Sequence, residues 1–276
     1  MDLGTITTII RPTTRGETGV WNDGDAWLGG GTWLFSEPQL AVRRLIDLQS
    51  LAWETLAATE RGLEISSTCT LAQLEALAVP PDWEAGPLFR QCCRSLQASF
   101  KILNVATVGG NVCMSLPAGA MTSLTVALEG VCTIWLRGGG ERRVPVVDFV
   151  TGPQQNVLAP GDLLRSIELP AAALRRRSSF RRLSLTHLGR STVLLIGTLC
   201  PRDGAFALTV TASTVRPFRV EFPGVPGSGE LEARLREAIP EGLYLDDVHG
   251  SPAYRKHTTL HLAEEIRREL SATGAA

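Results

Sequence analysis

Two short glycine-bearing turns are the features of this chain best suited to chemistry. The first, Gly29-Gly30-Gly31-Thr32, follows the apolar run Ala26-Trp27-Leu28, and the second is Thr107-Val108-Gly109-Gly110-Asn111. Glycine has no Cβ and tolerates positive φ, so backbone N–H groups in such turns can converge on phosphate oxygens. Neither turn ends in the Gly-Lys-Ser/Thr of a P-loop. Neither fits the Gly-x-Gly-x-x-Gly dinucleotide fingerprint, because Leu34 stands where its last glycine would fall. On residue types alone each reads first as an ordinary tight turn, with phosphate binding as the alternative.

Other candidate groups point to less. His257 and His261 sit one helical turn apart, but no glutamate follows the first histidine and no third ligand is evident, so they read as a solvated helix face rather than a metal pair. The six cysteines (Cys69, Cys92, Cys93, Cys113, Cys132, Cys200) are scattered without Cys-x-x-Cys spacing and read as small buried hydrophobes. An iron–sulfur cluster would need its own thiolate set and is expected on another chain. Arg175-Arg176-Arg177 reads as a solvated loop or, with Arg181-Arg182, as a mark of an acidic partner or a phosphate. Gly138-Gly139-Gly140 reads as a hairpin turn. No nucleophile and base pairing is discernible, so no side chain is nominated as catalytic and none as a metal ligand.

The elements that position these turns follow from composition and periodicity. A chain of 276 residues, 44% hydrophobic and 20% charged, is long enough for one large or two modest globular domains. A formal net charge of −1 gives no whole-chain footprint for nucleic acid or an anionic membrane. The N-terminus lacks a basic segment followed by an apolar run, and no stretch reaches the ~18 apolar residues of a membrane span, so a soluble, cytoplasmic protein is expected. Arg44-Leu45-Ile46-Asp47-Leu48 offers an apolar strand a short crossover after the first turn, which predicts a small parallel unit. Leu63-Glu64-Ile65 alternates like a strand, and Thr70-Leu71-Ala72-Gln73 has the form of a capping box.

Helices are predicted near 88–100 and 118–129, and strands Val131–Leu136 and Arg143–Val147 should flank the triple-glycine hairpin. A boundary falls near 170. Beyond it lie predicted strands at 192–199 and 206–212, a helix at 228–239 headed by Ser228, and a last helix after Ser251-Pro252. That last helix should carry Tyr254, Leu262, Ile266 and Leu270 on one face.

The chain resembles the FAD-binding, electron-transferring subunits of molybdenum hydroxylases, such as the flavin domain of xanthine dehydrogenase and the medium subunit of carbon monoxide dehydrogenase. That family carries an Ala-Gly-Gly-Thr-type loop followed by an Ile-Asp-Leu strand, matched here by Gly29-Gly30-Gly31-Thr32 and Ile46-Asp47-Leu48. Its second loop matches Ile102-Leu103-Asn104-Val105-Ala106-Thr107-Val108-Gly109-Gly110-Asn111. Further matches are Pro117-Ala118, Asp148-Phe149, Gly161-Asp162-Leu163-Leu164-Arg165-Ser166-Ile167-Glu168-Leu169-Pro170, Ser179-Phe180-Arg181-Arg182 and Gly250-Ser251-Pro252-Ala253-Tyr254-Arg255-Lys256.

The resemblance implies an α+β fold of the p-cresol methylhydroxylase type. Its FAD-binding part would span 1–170, in lobes of about 1–55 and 56–170, with a C-terminal α+β domain over 171–276. It implies that both loops hold the FAD pyrophosphate through backbone amides, with hydroxyls of Thr32 and Thr107 adding donors and Asn111 contacting the ribityl–phosphate region. Leu164 and Arg181 match family positions near the flavin, the latter commonly lysine. Molybdopterin and two iron–sulfur clusters are implied on a large and a small partner subunit. The assembly would be a heterotrimer, able to dimerise, that delivers electrons to NAD or another acceptor.

Three departures accompany the match. Leu116 and Ala120 replace the serine and aspartate of Ser-Pro-x-x-Asp, which removes one hydrogen-bond partner of the flavin or ribityl chain. Leu185-Thr186-His187-Leu188-Gly189-Arg190-Ser191 replaces an Arg-Arg-x-x-Asp-Ile-Ala stretch on the acceptor side. The segment before residue 26 is abbreviated. A flavin-free structural subunit and a self-contained flavin oxidase are the rival readings.

Overall fold

The computed structural model describes residues 4–272. Strands β1 (Thr8–Ile10), β2 (Asp25–Leu28) and β3 (Arg44–Asp47) form a parallel sheet in the order β1-β3-β2, so the predicted parallel unit is present. Its β2 to β3 crossover carries turns and no helix.

The second sheet is antiparallel, in the order β4-β5-β10-β6-β7, from β4 (Leu56–Thr59), β5 (Gly62–Ser66), β6 (Val131–Trp135), β7 (Glu141–Pro145) and β10 (Leu163–Pro170). A small ribbon of β8 (Val150–Gly152) and β9 (Gln155–Asn156) lies beside it in sequence. The triple glycine turns the β6–β7 hairpin, with Gly139 and Gly140 at φ of 94° and 79°. Register slips between Leu164 and Ser166 on β10, a bulge at Arg165 that the residue pattern did not announce.

Short helices fill the same region: α1 (Leu71–Glu75), α2 (Pro87–Ser95), α3 (Phe100–Leu103), α4 (Val108–Cys113), α5 (Ala120–Ala127), α6 (Val146–Phe149) and α7 (Ala171–Leu174). The Thr70 to Gln73 capping box forms as predicted, and Pro87 occupies the first turn of α2. The helix expected over 88–100 stops at Ser95, because Gln97 turns left-handed at φ 53° and the chain restarts as α3. Every residue of α5 is buried.

The remainder forms the antiparallel sheet β11 (Arg177–Leu183), β12 (Val193–Leu199), β13 (Phe206–Thr211) and β14 (Phe218–Phe222), with α8 (Ser228–Ala238) and α9 (Pro252–Ala272). All residues of β12 and β13 are buried, since this sheet is covered on both faces. On one face Leu194, Ile196 and Ala212 join the core that holds α5 and the five-stranded sheet. On the other, Val193, Leu195, Leu208 and Val210 pack with Leu231 and Leu235 of α8 and Ile266 and Leu270 of α9.

Ser228 opens α8 but does not cap it; Gly227 is the cap, its N–H donating to the Glu230 carboxylate at 3.2 Å. Ser251 accepts from Tyr254 N–H at 3.4 Å, as the Ser-Pro start of α9 predicts. The buried face of α9 is Arg255, Thr258, Thr259, Leu262, Ala263, Ile266 and Leu270; Tyr254, expected on it, is exposed.

The cysteines are free thiols, and burial pushes those of Cys69 and Cys93 up to about 12. Their reading as small apolar fillers holds for the buried Cys69, Cys92, Cys93 and Cys132. Among the described residues no helix is long and apolar enough to cross a membrane.

Candidate functional site

The first glycine turn begins where β2 ends, held in place by the pairing of Leu28 with Asp47. Gly31 lies at φ 70°, where a side chain would meet the Phe35 ring at 2.5 Å. Phe35 N–H donates to Gly31 O at 2.8 Å and closes the turn. The second turn is the entry to α4. Thr107, buried at 3% exposure, caps that helix, and its hydroxyl accepts from Gly110 N–H at 3.0 Å.

The two turns pack back to back, and glycine is what permits it. A Cβ built at Gly30 would stand 1.7 Å from Val105 O, and one at Gly29 would stand 3.1 Å from Thr107 Oγ1. Gly109 presses in the same way on Ser67, where a Cβ would meet that residue's Cβ at 2.3 Å. Positive φ plays no part in the second turn: neither Gly109 nor Gly110 has it. Close approach of backbone to backbone is the reason for these glycines.

The turns differ in what their amides do. In the second, Val108 N–H donates to Cys69 O at 2.9 Å, Gly109 N–H to Ser67 O at 3.1 Å and Asn111 N–H to Thr107 O at 3.0 Å. In the first, the N–H groups of Gly30, Gly31 and Thr32 have no acceptor among the described residues. Amides left free on a glycine turn can donate to an anion. The amides without a protein acceptor are thus on the first turn, and the second buttresses it.

Asn111 faces away from this contact. Its Oδ1 accepts from Met121 N–H at 3.0 Å, tying α4 to the start of α5. It also lines a cavity of about 460 Å³ between the Leu116–Gly119 turn and the C-terminal sheet, closed on the far side by Leu188, Arg190, His249 and the buried Arg255. Gln97, Gln154 and Ala212, all on this wall, hold left-handed backbone at φ 53°, 55° and 64°. Non-glycine residues in that region cost energy and cluster at functional sites. Residue patterns could not show this wall. Its one sequence signal was the departure at Leu185–Ser191.

Leu164 lies on β10 and Arg181 on β11. Leu164 is buried at 1% exposure in the core of the five-stranded sheet, opposite Ile134. Arg181 lies on the α9 face of its sheet, donating to Glu265 at 3.0 Å and Glu269 at 2.5 Å. Neither lines the cavity beside Asn111. Ala120, where the family pattern has an acid, is buried at the first residue of α5. His257 and His261 are exposed on α9, and the described residues contain no group of three metal-ligating side chains. Arg175 pairs with Asp82 at 2.8 Å and Arg176 with Glu129 at 2.8 Å.

The model of the family "FAD binding domain in molybdopterin dehydrogenase" matches residues 22–172. The match covers both glycine turns and more than half of the chain, and the protein belongs to that family. Xanthine dehydrogenase of Oryza sativa subsp. japonica is 30% identical over 122 residues, 42% of this chain and 9% of its own length. The xanthine dehydrogenase/oxidase of Gallus gallus is 28% identical over 120 residues, again 9% of its length. The chain thus spans about a tenth of these relatives.

Among solved structures, quinoline 2-oxidoreductase from Pseudomonas putida 86 superposes with a TM-score of 0.78 at 20% identity, covering 100% of this chain and 99% of that one. Carbon monoxide dehydrogenase from Hydrogenophaga pseudoflava, lacking the Mo-pyranopterin moiety of its molybdenum cofactor, gives 0.79 at 18% identity, covering 97% and 98%. At such identities the likeness establishes the fold.

Proposed function

We propose that this chain is the FAD-containing electron-transfer subunit of a molybdopterin-dependent hydroxylase or dehydrogenase, working in the cytoplasm. The observation that carries the reading is the turn at Gly30, Gly31 and Thr32, whose amides lack protein acceptors and lie inside the segment that matches an FAD-binding domain. Those donors fit a pyrophosphate. The fold reads as the p-cresol methylhydroxylase type, with 1–170 as the FAD-binding part in lobes of about 1–55 and 56–170, and 171–276 as the C-terminal domain.

In this reading Gly29 and Gly30 let the first turn seat against Val105 and Thr107, and the free amides hold the phosphates. The Thr32 hydroxyl adds a donor. Thr107, Gly109 and Gly110 fix the shape of the second turn, and Asn111 holds the start of α5 in register with it. FAD, when bound, supplies the redox chemistry; the chain binds it, orients it and tunes its surroundings.

Electrons would come from two iron–sulfur clusters on a small partner subunit, fed by a molybdopterin centre on a large one. The assembly is a heterotrimer that passes them to NAD or another acceptor. Free and scattered cysteines leave the cluster ligands to that partner. Stopped-flow absorbance tests the relay: substrate should bleach the flavin in the complete complex and leave the isolated FAD-loaded chain unchanged. Bleaching of the isolated chain by substrate would show a self-contained oxidase.

A second reading draws on Ala120, which leaves the start of α5 without the acid of the family pattern. A subunit that keeps the fold without flavin would release no flavin when the complex is denatured.

A further inference from the structure

Where the end of α8 meets the start of α9, beyond the segment matched to the FAD-binding domain, lies a cavity of about 460 Å³. That volume falls within the range of roughly 300–1,000 Å³ usual for small-molecule sites. It shares no residue with the cavity beside Asn111. Its apolar surface comes from Tyr244, Pro252, Ala253 and Leu260. Tyr244 is buried at 5% exposure among core side chains, yet its hydroxyl has no hydrogen-bond partner among the described residues. Buried phenols usually find one. This hydroxyl is not sealed in the core: it looks onto the cavity it shares with Arg236, whose charge acts on it. Burial pushes its pKa up to about 12, so it stays protonated and can donate.

The groups around this hydroxyl are mostly cationic. Arg236 is held by Glu232, at 2.9 Å and 2.6 Å, a carboxylate that does not line the cavity. Lys256 and His257 stand on the opening turns of α9. Ala253, second residue of that 21-residue helix, adds a backbone N–H with no acceptor among the described residues. It lies at the end of the helix whose dipole favours an anion. Glu241 also lines the cavity and pairs with Lys256. Its side chain is 82% exposed, so it can swing into water when another carboxylate takes its place on Lys256.

We propose that this cavity binds a small organic carboxylate, with its charge on the Tyr244 hydroxyl, the Lys256 ammonium and the start of α9, and its carbon body against Pro252 and Leu260. The site does not depend on the flavin reading. The test is calorimetric titration of the protein, with FAD in excess so that the glycine turns are filled, using benzoate, isobutyrate and inorganic phosphate in separate runs. At least one carboxylate should bind saturably below about 1 mM and more tightly than phosphate, which has no carbon body to bury. Benzoate alone marks the ligand as a flat ring, and isobutyrate alone as a branched chain. Tyr244→Phe removes only the hydroxyl, and Lys256→Gln removes the charge at the opening. Each should weaken binding by about tenfold or more, the scale of one hydrogen bond to a charged group. Melting temperature and far-ultraviolet circular dichroism check that each variant is folded. Saturable binding of neither carboxylate up to about 10 mM, phosphate bound as tightly as both, or unchanged affinity in either folded variant would overturn the assignment.

Discussion

Gly30 backs directly onto the carbonyl of Val105, so closely that a Cβ at Gly30 would stand 1.7 Å from that oxygen. The clash is with main chain, which cannot swing aside. Gly30→Ala should therefore push the two turns apart and destabilise the fold by about 1–3 kcal/mol, as overpacking does. Flavin content should fall along with the melting temperature. A Gly30→Ala protein with unchanged melting temperature and full flavin would show that the turns do not depend on this contact.

Gly110 offers the contrasting case. A Cβ there meets Thr107 Oγ1 alone, at 2.8 Å, and no backbone. Gly110→Val should displace the Thr107 cap at a cost of about 0.5–2 kcal/mol, leave the protein folded, and abolish flavin retention. Flavin absorbance after gel filtration reads the outcome. Full retention would show that the first turn keeps its shape without the Thr107 cap behind it.

The glycines of the two turns also show what the sequence could and could not disclose. Glycine at both positions was visible, and so was the capping box at Thr70, because both are local signals. Their reason was not visible: Gly30 answers to Val105 and Gly109 to Ser67, contacts between distant parts of the chain. The left-handed residues Gln97, Gln154 and Ala212 gave no residue-type signal either, since none is glycine. Arg181 matched a family position near the flavin by resemblance alone, and its partners Glu265 and Glu269 on α9 are distant in sequence and left no local signal. Short strands such as β1 and β4 lacked the length for period-two patterning to stand out.

Arg255 joins α9 to the sheet beneath it. It is 1% exposed and donates to Thr192 O and Ala212 O, both at 2.7 Å, and to Gly250 O at 3.1 Å, with Asp247 as its ionic partner at 2.5 Å. Arg255→Met should strand at least two buried carbonyls and cost about 3 kcal/mol or more, at ~1–3 kcal/mol for each unsatisfied group. Chemical denaturation measures it. A loss under about 1 kcal/mol would mean the carbonyls find other donors.

Glu264 predicts a pH effect. Hydrogen bonding from Arg267 outweighs burial and, with Arg268 and Ser228 adding to it, holds the carboxyl at about 2, below its usual 4.5. A depressed carboxylate contributes stability that is fully present above its unfolded value and lost as pH falls through the folded one. The melting temperature should drop between pH 4.5 and about 2, and Glu264→Gln should flatten that part of the profile. An identical acid slope in the variant would remove Glu264 from the account.

The central claim is that the turn at Gly30, backed by the turn at Gly109, holds FAD, and the most direct measurement is of what the protein releases. Protein purified with its partner subunits is denatured, and the freed flavin is separated by liquid chromatography and weighed by mass spectrometry. The account predicts FAD, one per chain, because paired turns with free amides on one of them suit a pyrophosphate bridge. Recovery of FMN, or of no flavin from the freshly isolated complex, would contradict it.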